Sequence, residues 1–134
     1  MKKAFFLTLI LILGFMANAS AQTYKFYSTD FAYKTKNSDG YWSRWSDWEE
    51  SKCLVTISLD REVINIYSET PQEFDIYDEI GESEDENGTS LTLRCVDKDG
   101  LRCWIRFRRQ HDGTLQLYVE YNDIIYVYCL KERN

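Results

Sequence analysis

The sequence predicts an all-β fold: a single antiparallel meander of about eight strands, curled into a small closed or flattened barrel. Three observations carry this. Past residue 22, apolar and polar residues alternate with period two almost throughout. The alternating runs are rich in Val, Ile, Tyr, Phe and Thr, which suit a pleated, half-buried surface. Turn signals interrupt the runs at short intervals, so successive strands become antiparallel neighbours. A two-sheet sandwich is the alternative arrangement of the same strands.

The first strand is expected over 23–34, before the turn Asn37-Ser38-Asp39-Gly40. Strands over 52–59 and 62–68 flank Asp60-Arg61, and the only proline, Pro71, precedes a strand over 73–79. The acidic run Glu82-Ser83-Glu84-Asp85-Glu86-Asn87-Gly88 reads as a solvated, mobile loop. It lacks the alternating ligands and closing Glu of a calcium loop. Further strands are expected over 89–96, 101–109, 114–121 and 124–131. Their turns are Asp97-Lys98-Asp99-Gly100, Gln110-His111-Asp112-Gly113 and Asn122-Asp123.

The turns also set registers. A three-residue loop with Gly100 left-handed puts Asp97 against Leu101. Cys95 then faces Cys103, Leu93 faces Ile105 and Leu91 faces Phe107. A matching loop at His111-Asp112-Gly113 sets Phe107 against Leu117 and Ile105 against Val119. All these apolar residues fall on one face, and a one-residue slip would expose them. Ile124 to Leu130 is apolar on both faces, so alternation does not orient Cys129.

Residues 1–21 read as a cleaved signal peptide. Lys2 and Lys3 give a positive start, Ala4–Ala17 is uncharged, and Ala19-Ser20-Ala21 is an A-x-A cleavage site. The expectation is a secreted or periplasmic domain, 22–134, with no membrane span after cleavage. Losing Lys2 and Lys3 from the 16 basic residues leaves 14 against 22 acids, a net charge of −8. That balance, with export, argues against nucleic acid as a partner.

Four cysteines in an exported chain suggest disulfides, and the register nominates Cys95–Cys103, with Cys53–Cys129 as a second pair. Buried free thiols are the alternative. Without a C-x-x-C, and with His111 the one histidine, no metal site is indicated. No nucleophile elbow, phosphate loop or cofactor motif is present. Asp75, Asp78, Glu79 and Glu120 are candidate carboxylates for a small hydrolase.

Two groups of residues stand out as ligand- or partner-binding candidates. Trp42, Trp45 and Trp48 recur at spacing three, and they serve either to cap one end of the barrel or to form an aromatic patch. Opposite the apolar face, the registers bring out Arg94, Arg102, Trp104, Arg106 and Arg108 with Tyr118 and Glu120. Arg94 lies across from Trp104, Arg106 from Tyr118, and Trp104 from Glu120. This is a sheet face stabilised by cross-strand pairs, or a binding face rich in the residues of interface hot spots.

The segment W-S-R-W-S-D-W resembles the W-S-x-W-S box of cytokine receptors and the spaced tryptophans of thrombospondin type-one repeats. In both, tryptophans interleave with arginines of neighbouring strands. The repeat's six cysteines and the receptor box's late position are not matched here. Taken whole, the order W-S-x-W-S-D-W-E, V-T-I-S-L-D, I-N-I-Y-S, C-V-D-K-D-G-L-R-C, L-Q-L-Y-V-E-Y-N-D resembles a group of short exported Gram-negative bacterial proteins of unassigned function. In strand count the chain is also similar to lipocalin- and avidin-like barrels, which implies a barrel but carries over no ligand residue. The functional expectation is a non-catalytic module binding a small molecule, glycan or envelope protein. It would use the barrel interior, the tryptophan segment or the arginine face. A structural or accessory envelope protein is the alternative, and a small carboxylate-dependent hydrolase comes third.

Overall fold

The structure, a computed structural model, describes residues 23–132. The expected signal peptide, 1–21, lies outside the described residues. Nine strands follow in order: β1 (Thr23–Thr35), β2 (Glu49–Glu50), β3 (Leu54–Ser58), β4 (Val63–Tyr67), β5 (Gln72–Asp85), β6 (Gly88–Asp97), β7 (Arg102–Gln110), β8 (Leu115–Glu120) and β9 (Ile124–Glu132). All neighbours are antiparallel, and β1 pairs with both β3 and β9, which closes an eight-stranded barrel. The two-residue β2 lies against β1 as an addition. The meander expected from the turns is the observed fold, and the sandwich is not.

The hairpin registers follow the turn chemistry. Asp97 N–H donates to the Leu101 carbonyl at 2.8 Å and Gly100 N–H to the Asp97 carbonyl at 3.0 Å, with Gly100 at φ +84°. The β7–β8 turn repeats this with Gly113. Cys95 pairs with Cys103, Leu93 with Ile105, and Phe107 with both Leu91 and Leu117. Inward residues from every long strand fill the barrel. Phe26, Phe107, Val55, Ile57, Ile64, Ile66, Leu91, Leu93, Ile105, Leu117 and Val119 have no accessible surface, so no water-sized void touches them. The mouth bounded by Thr35, Ile124 and Gln72 is closed by Phe31, Tyr126 and Tyr128, whose rings lie 5.1–5.9 Å apart. Gln72 ties that plug to the wall by bonding the hydroxyls of both tyrosines.

Register shifts, one in β1 and two in β5, change which face residues occupy. In β1 the register shifts between Ser28 and Asp30, so Phe26 and Phe31 both pack inward while Ala32 and Lys34 turn outward. In β5 it shifts between Ile76 and Asp78, leaving Tyr77 and Asp78 together on the outer face.

Several expectations are corrected. The acidic run is not a loop: β5 continues to Asp85, pairing with β6 down to Asp85–Gly88. The run pairs because Asp85 Oδ1 caps the turn, accepting the N–H groups of Asn87 at 2.8 Å and Gly88 at 3.0 Å. No described strand lies on its other edge beyond Asp78. Carboxylates along an edge oppose further strand addition. The tryptophans do not cap the barrel, since Phe31, Tyr126 and Tyr128 occupy that place. The cysteines are free thiols. Cys95 and Cys103 face each other as expected, but alternation from the bonded Asp97–Leu101 pair makes theirs a hydrogen-bonded site too. At such sites the side chains stand farther apart than at the non-bonded sites between them. Cys53 points inward, where its thiol meets Ser28 Oγ at 3.0 Å, while Cys129 faces outward beside Gln116, so these two are not partners either.

Burial, then the neighbouring Cys103, pushes the Cys95 thiol well up, and burial takes Cys103 up to about 11. Neither is a thiolate near neutral pH. A thiol reagent at pH 8 is therefore expected to leave both unlabelled in the native protein and to label them once guanidinium unfolds it. Rapid native labelling, or an intact mass lower by two hydrogens, would contradict the free-thiol assignment.

Gly88 is set by close approach. A Cβ there would lie 2.4 Å from the Arg109 carbonyl oxygen and 2.9 Å from the Gln110 Cα, both backbone atoms of β7. Gly88→Ala is expected to cost about 1–3 kcal/mol in urea unfolding, the range for overpacking. A midpoint equal to wild type would show that β7 can move aside.

Candidate functional site

On the outside of the wall, from β5 round to β1, the registers align residues into rows. One row runs Asp78–Arg94–Trp104–Glu120–Ile125–Lys34. The next runs Arg106–Tyr118–Val127–Ala32, and a third Ser90–Arg108–Gln116–Cys129–Asp30. The expected pairs Arg94–Trp104, Trp104–Glu120 and Arg106–Tyr118 are therefore neighbours.

The tryptophan segment joins this face along the upper edge of β1, where β3 no longer reaches. Ser43 N–H donates to the Thr35 carbonyl at 2.7 Å, and Ser43 Oγ accepts the Thr35 N–H at 3.0 Å. Ser46 does the same with Tyr33, at 2.7 and 2.9 Å. Glu49 then pairs with Phe31. The segment thus advances three residues for every two of β1, one extra residue at each step as in a β-bulge. That repeat places the tryptophans on a common side. It requires a small hydroxyl side chain at each contact, which Ser43 and Ser46 supply.

Cations sit between the rings. Lys34 Nζ lies 5.5 Å from the Trp42 ring and 4.9 Å from the Trp45 ring, and Lys36 Nζ lies 5.2 Å from Trp42. The Trp45 ring meets Tyr118 edge-on at 6.2 Å. Since Ser46 is fixed to β1 and Tyr118 lies on β8, Trp45 spans the outward Val127 and Ala32, and both are buried. Tyr118 is covered in turn by the Arg106 guanidinium at 4.1 Å, and Arg106 Nε bonds Glu120 at 3.0 Å. The cations interleaved with the tryptophans are lysines of β1 and its end, not the arginines that the W-S-x-W-S resemblance implies; the arginines stack on Tyr77 and Tyr118 instead. Each exposed cation–π contact contributes about 0.5–1 kcal/mol.

Beyond this ladder lies an open groove of about 490 Å³, lined by Lys36, Trp42, Tyr77, Arg94, Arg102 and Trp104, with Glu120 and Asn122 at its floor and end. Arg102 stacks on Tyr77 at 5.8 Å, and Arg94 faces Asp78 at 4.0 Å. All four tryptophans of the chain are in or near this face and stay exposed: Trp42 36%, Trp45 42%, Trp48 53% and Trp104 51%. Trp48 is adjacent in the segment, but no ring contact holds it among the described residues.

The structure thus brings together Trp42, Trp45, Arg94, Arg102, Trp104, Arg106 and Tyr118. Lys34 and Lys36 escaped the sequence reading because the β1 bulge reverses parity, and Ile125 because its strand is apolar on both faces; Tyr77 faces outward by the plain alternation of Phe74 and Ile76 but carries no sequence signal of its own. The signal was present in β1: Tyr24, Phe26 and Ser28 alternate, then Phe31 and Tyr33 resume out of phase. Of the candidate hydrolase carboxylates, Asp78 and Glu120 do not converge. Asp78 and Glu120 lie three strand spacings apart in their row, about 14 Å between backbones, whereas acid–base pairs stand roughly 5–9.5 Å apart. Among the described residues no three His, Cys, Asp or Glu side chains group as metal ligands. No known family, curated protein or solved structure matches the chain.

At the far end of the arginine stripe, Arg108 Nη2 bonds Asp85 at 3.0 Å and Nη1 bonds Ser90 at 3.1 Å. The Arg108 bond, then the turn amide of Asn87, lowers the Asp85 carboxyl to about 2. A folded value depressed below the ordinary carboxylate near 4 contributes stability above that pH, and the contribution fades as pH falls from about 4 to about 2. The urea midpoint of wild type is expected to exceed that of Asp85→Asn at pH 6, with the gap closing across this window. A gap that stays constant down to pH 2 would show that the carboxylate charge contributes nothing.

Proposed function

We propose that the protein is an exported, non-catalytic binding module that takes its ligand on the outer wall of the barrel. One observation carries this reading: the interior is filled with Phe, Ile, Leu and Val, while every tryptophan stands exposed outside, Trp42 and Trp45 beside lysines. A large aromatic normally gains most by burial, so an exposed group of them points to an interaction surface. Tryptophan, tyrosine and arginine are also the residues that dominate interface energetics. A lipocalin-like interior site has no support, because the inward side chains leave no space for a ligand. The groove at Trp42, Tyr77, Arg102 and Trp104 lies within the usual range for ligand sites, roughly 300–1,000 Å³. Candidate ligands are a small molecule, a glycan or a surface of an envelope protein. An accessory role in the envelope would use the same face.

Native mass spectrometry of the protein recovered from its own host's envelope fraction tests this. Wild type, with cleavage after Ala21, is expected to carry an added mass that a Trp42→Ala/Trp104→Ala variant lacks. Both rings are exposed, so the variant is expected to fold. A bare mass for both proteins, or equal retention by the variant, would overturn the outer-wall reading.

A further inference from the structure

We infer that the groove's ligand is an acidic saccharide, an oligosaccharide bearing a carboxylate or sulfate; this rests on the outer-wall reading and specifies it. The first support is the state of the cations. Arg106 is held by Glu120, and Arg94 faces Asp78. Arg102 and Lys36 meet only aromatic rings among the described residues, at 5.8 and 5.2 Å. They enter the groove from different strands, Arg102 from β7 and Lys36 from just beyond β1. A saccharide lying along the groove would meet a planar guanidinium fork towards β7 and an ammonium towards β1 without displacing a carboxylate.

The second support is the shape of the rest of the lining. Trp42, Trp104 and Tyr77 offer flat, exposed faces, while Glu120 and Asn122 supply polar groups between them. A sugar ring matches this, since it has an apolar C–H face and a rim of hydroxyls. A purely aliphatic ligand would strip water from Arg102 and Lys36 and return nothing.

The third support is what surrounds the groove. The β6–β7, β7–β8, β8–β9 and β9–β1 ladders run paired beneath it, so no free strand edge is offered for an extended peptide to join. Asp75 and Asp78 of β5 border the Arg94 side. They repel a long polyanion and restrict the site to an isolated anionic group, which separates it from the continuous cationic track of single-stranded nucleic-acid sites.

The test is titration of the mature protein with oligogalacturonate, oligomannuronate and a sulfated heparin oligosaccharide, followed by tryptophan fluorescence and calorimetry. Methyl-esterified oligogalacturonate serves as the uncharged counterpart. At least one acidic saccharide is expected to bind saturably. About tenfold weakening is expected on Arg102→Gln or Lys36→Gln, as on esterification for a uronate ligand. Both substituted side chains are on the surface, and unchanged melting of the variants confirms that they fold. Failure of every acidic saccharide, or indifference of binding to both substitutions, overturns the saccharide assignment. If instead an acidic peptide or a single-stranded oligonucleotide binds with the same Arg102 dependence, the saccharide falls while the outer-wall reading stands. If that binding also ignores Trp104→Ala, both fall.

Discussion

The arrangement of this protein depends on β1 pairing with different neighbours along its length. Its first half lies between β3 and β9, which closes the barrel. Its second half keeps β9 but loses β3, and the edge so exposed is taken up by the tryptophan segment. The bulge at Ser28–Asp30 makes this workable. Without it, the alternation begun at Tyr24 and Phe26 would carry Ala32 and Lys34 into the barrel and turn Phe31 out. A lysine buried without a partner costs several kcal/mol, so the extra residue is the cheaper solution. It also puts Lys34 where two tryptophans can share it.

A barrel of this size is either filled or hollow, and the inward residues decide which. Phe26, Phe74 and Phe107 together with the branched aliphatics leave no room, and Phe31, Tyr126 and Tyr128 seal one mouth. Function must then be sought on the wall. The register shift after Ile76 in β5 matters here as the bulge in β1 does, because it brings Asp78 to the outer face opposite Arg94, next to the outward Tyr77 that stacks on Arg102. Irregularities in β1 and β5, on either side of the arginine stripe, reshape what would otherwise be a regular sheet face.

Much of this was legible in the sequence, for a physical reason. Turn chemistry is local: Asp97 and Gly100 specify their loop from within four residues, and the period-two pattern then propagates the register along β6, β7 and β8. Pairs such as Arg94–Trp104 and Arg106–Tyr118 could be read because nothing irregular lies between them and their turns. Bulges are set by tertiary pairing, so the outward placing of Lys34 and Lys36 was out of reach. The acidic stretch of β5 was misread because charge density signals solvation, whereas an edge strand is solvated on one side and paired on the other. The W-S-x-W-S segment was noticed but not placed. Its three-residue repeat has meaning only once β1 offers an edge for Ser43 and Ser46 to bond.

Magnitudes favour a contact role for the outer face over a purely structural one. Full burial of a large apolar side chain contributes about 1.5–3 kcal/mol, and each of the four tryptophans forgoes a large part of that. The cation–π contacts return about 0.5–1 kcal/mol apiece at exposed sites, and Trp48 and Trp104 have none among the described residues. Stability alone would be better served by lysine stems or threonines on this wall, as on β3 and β4, where Thr56, Ser58 and Asn65 face outward. The ladder does something burial cannot: it fixes Trp42 and Trp45 in place before any partner arrives. Rings already ordered lose little conformational freedom on binding, and that saving appears as affinity. A rigid aromatic platform with two cations lacking carboxylate partners is stable enough to persist and leaves free the groups that the proposed binding would use.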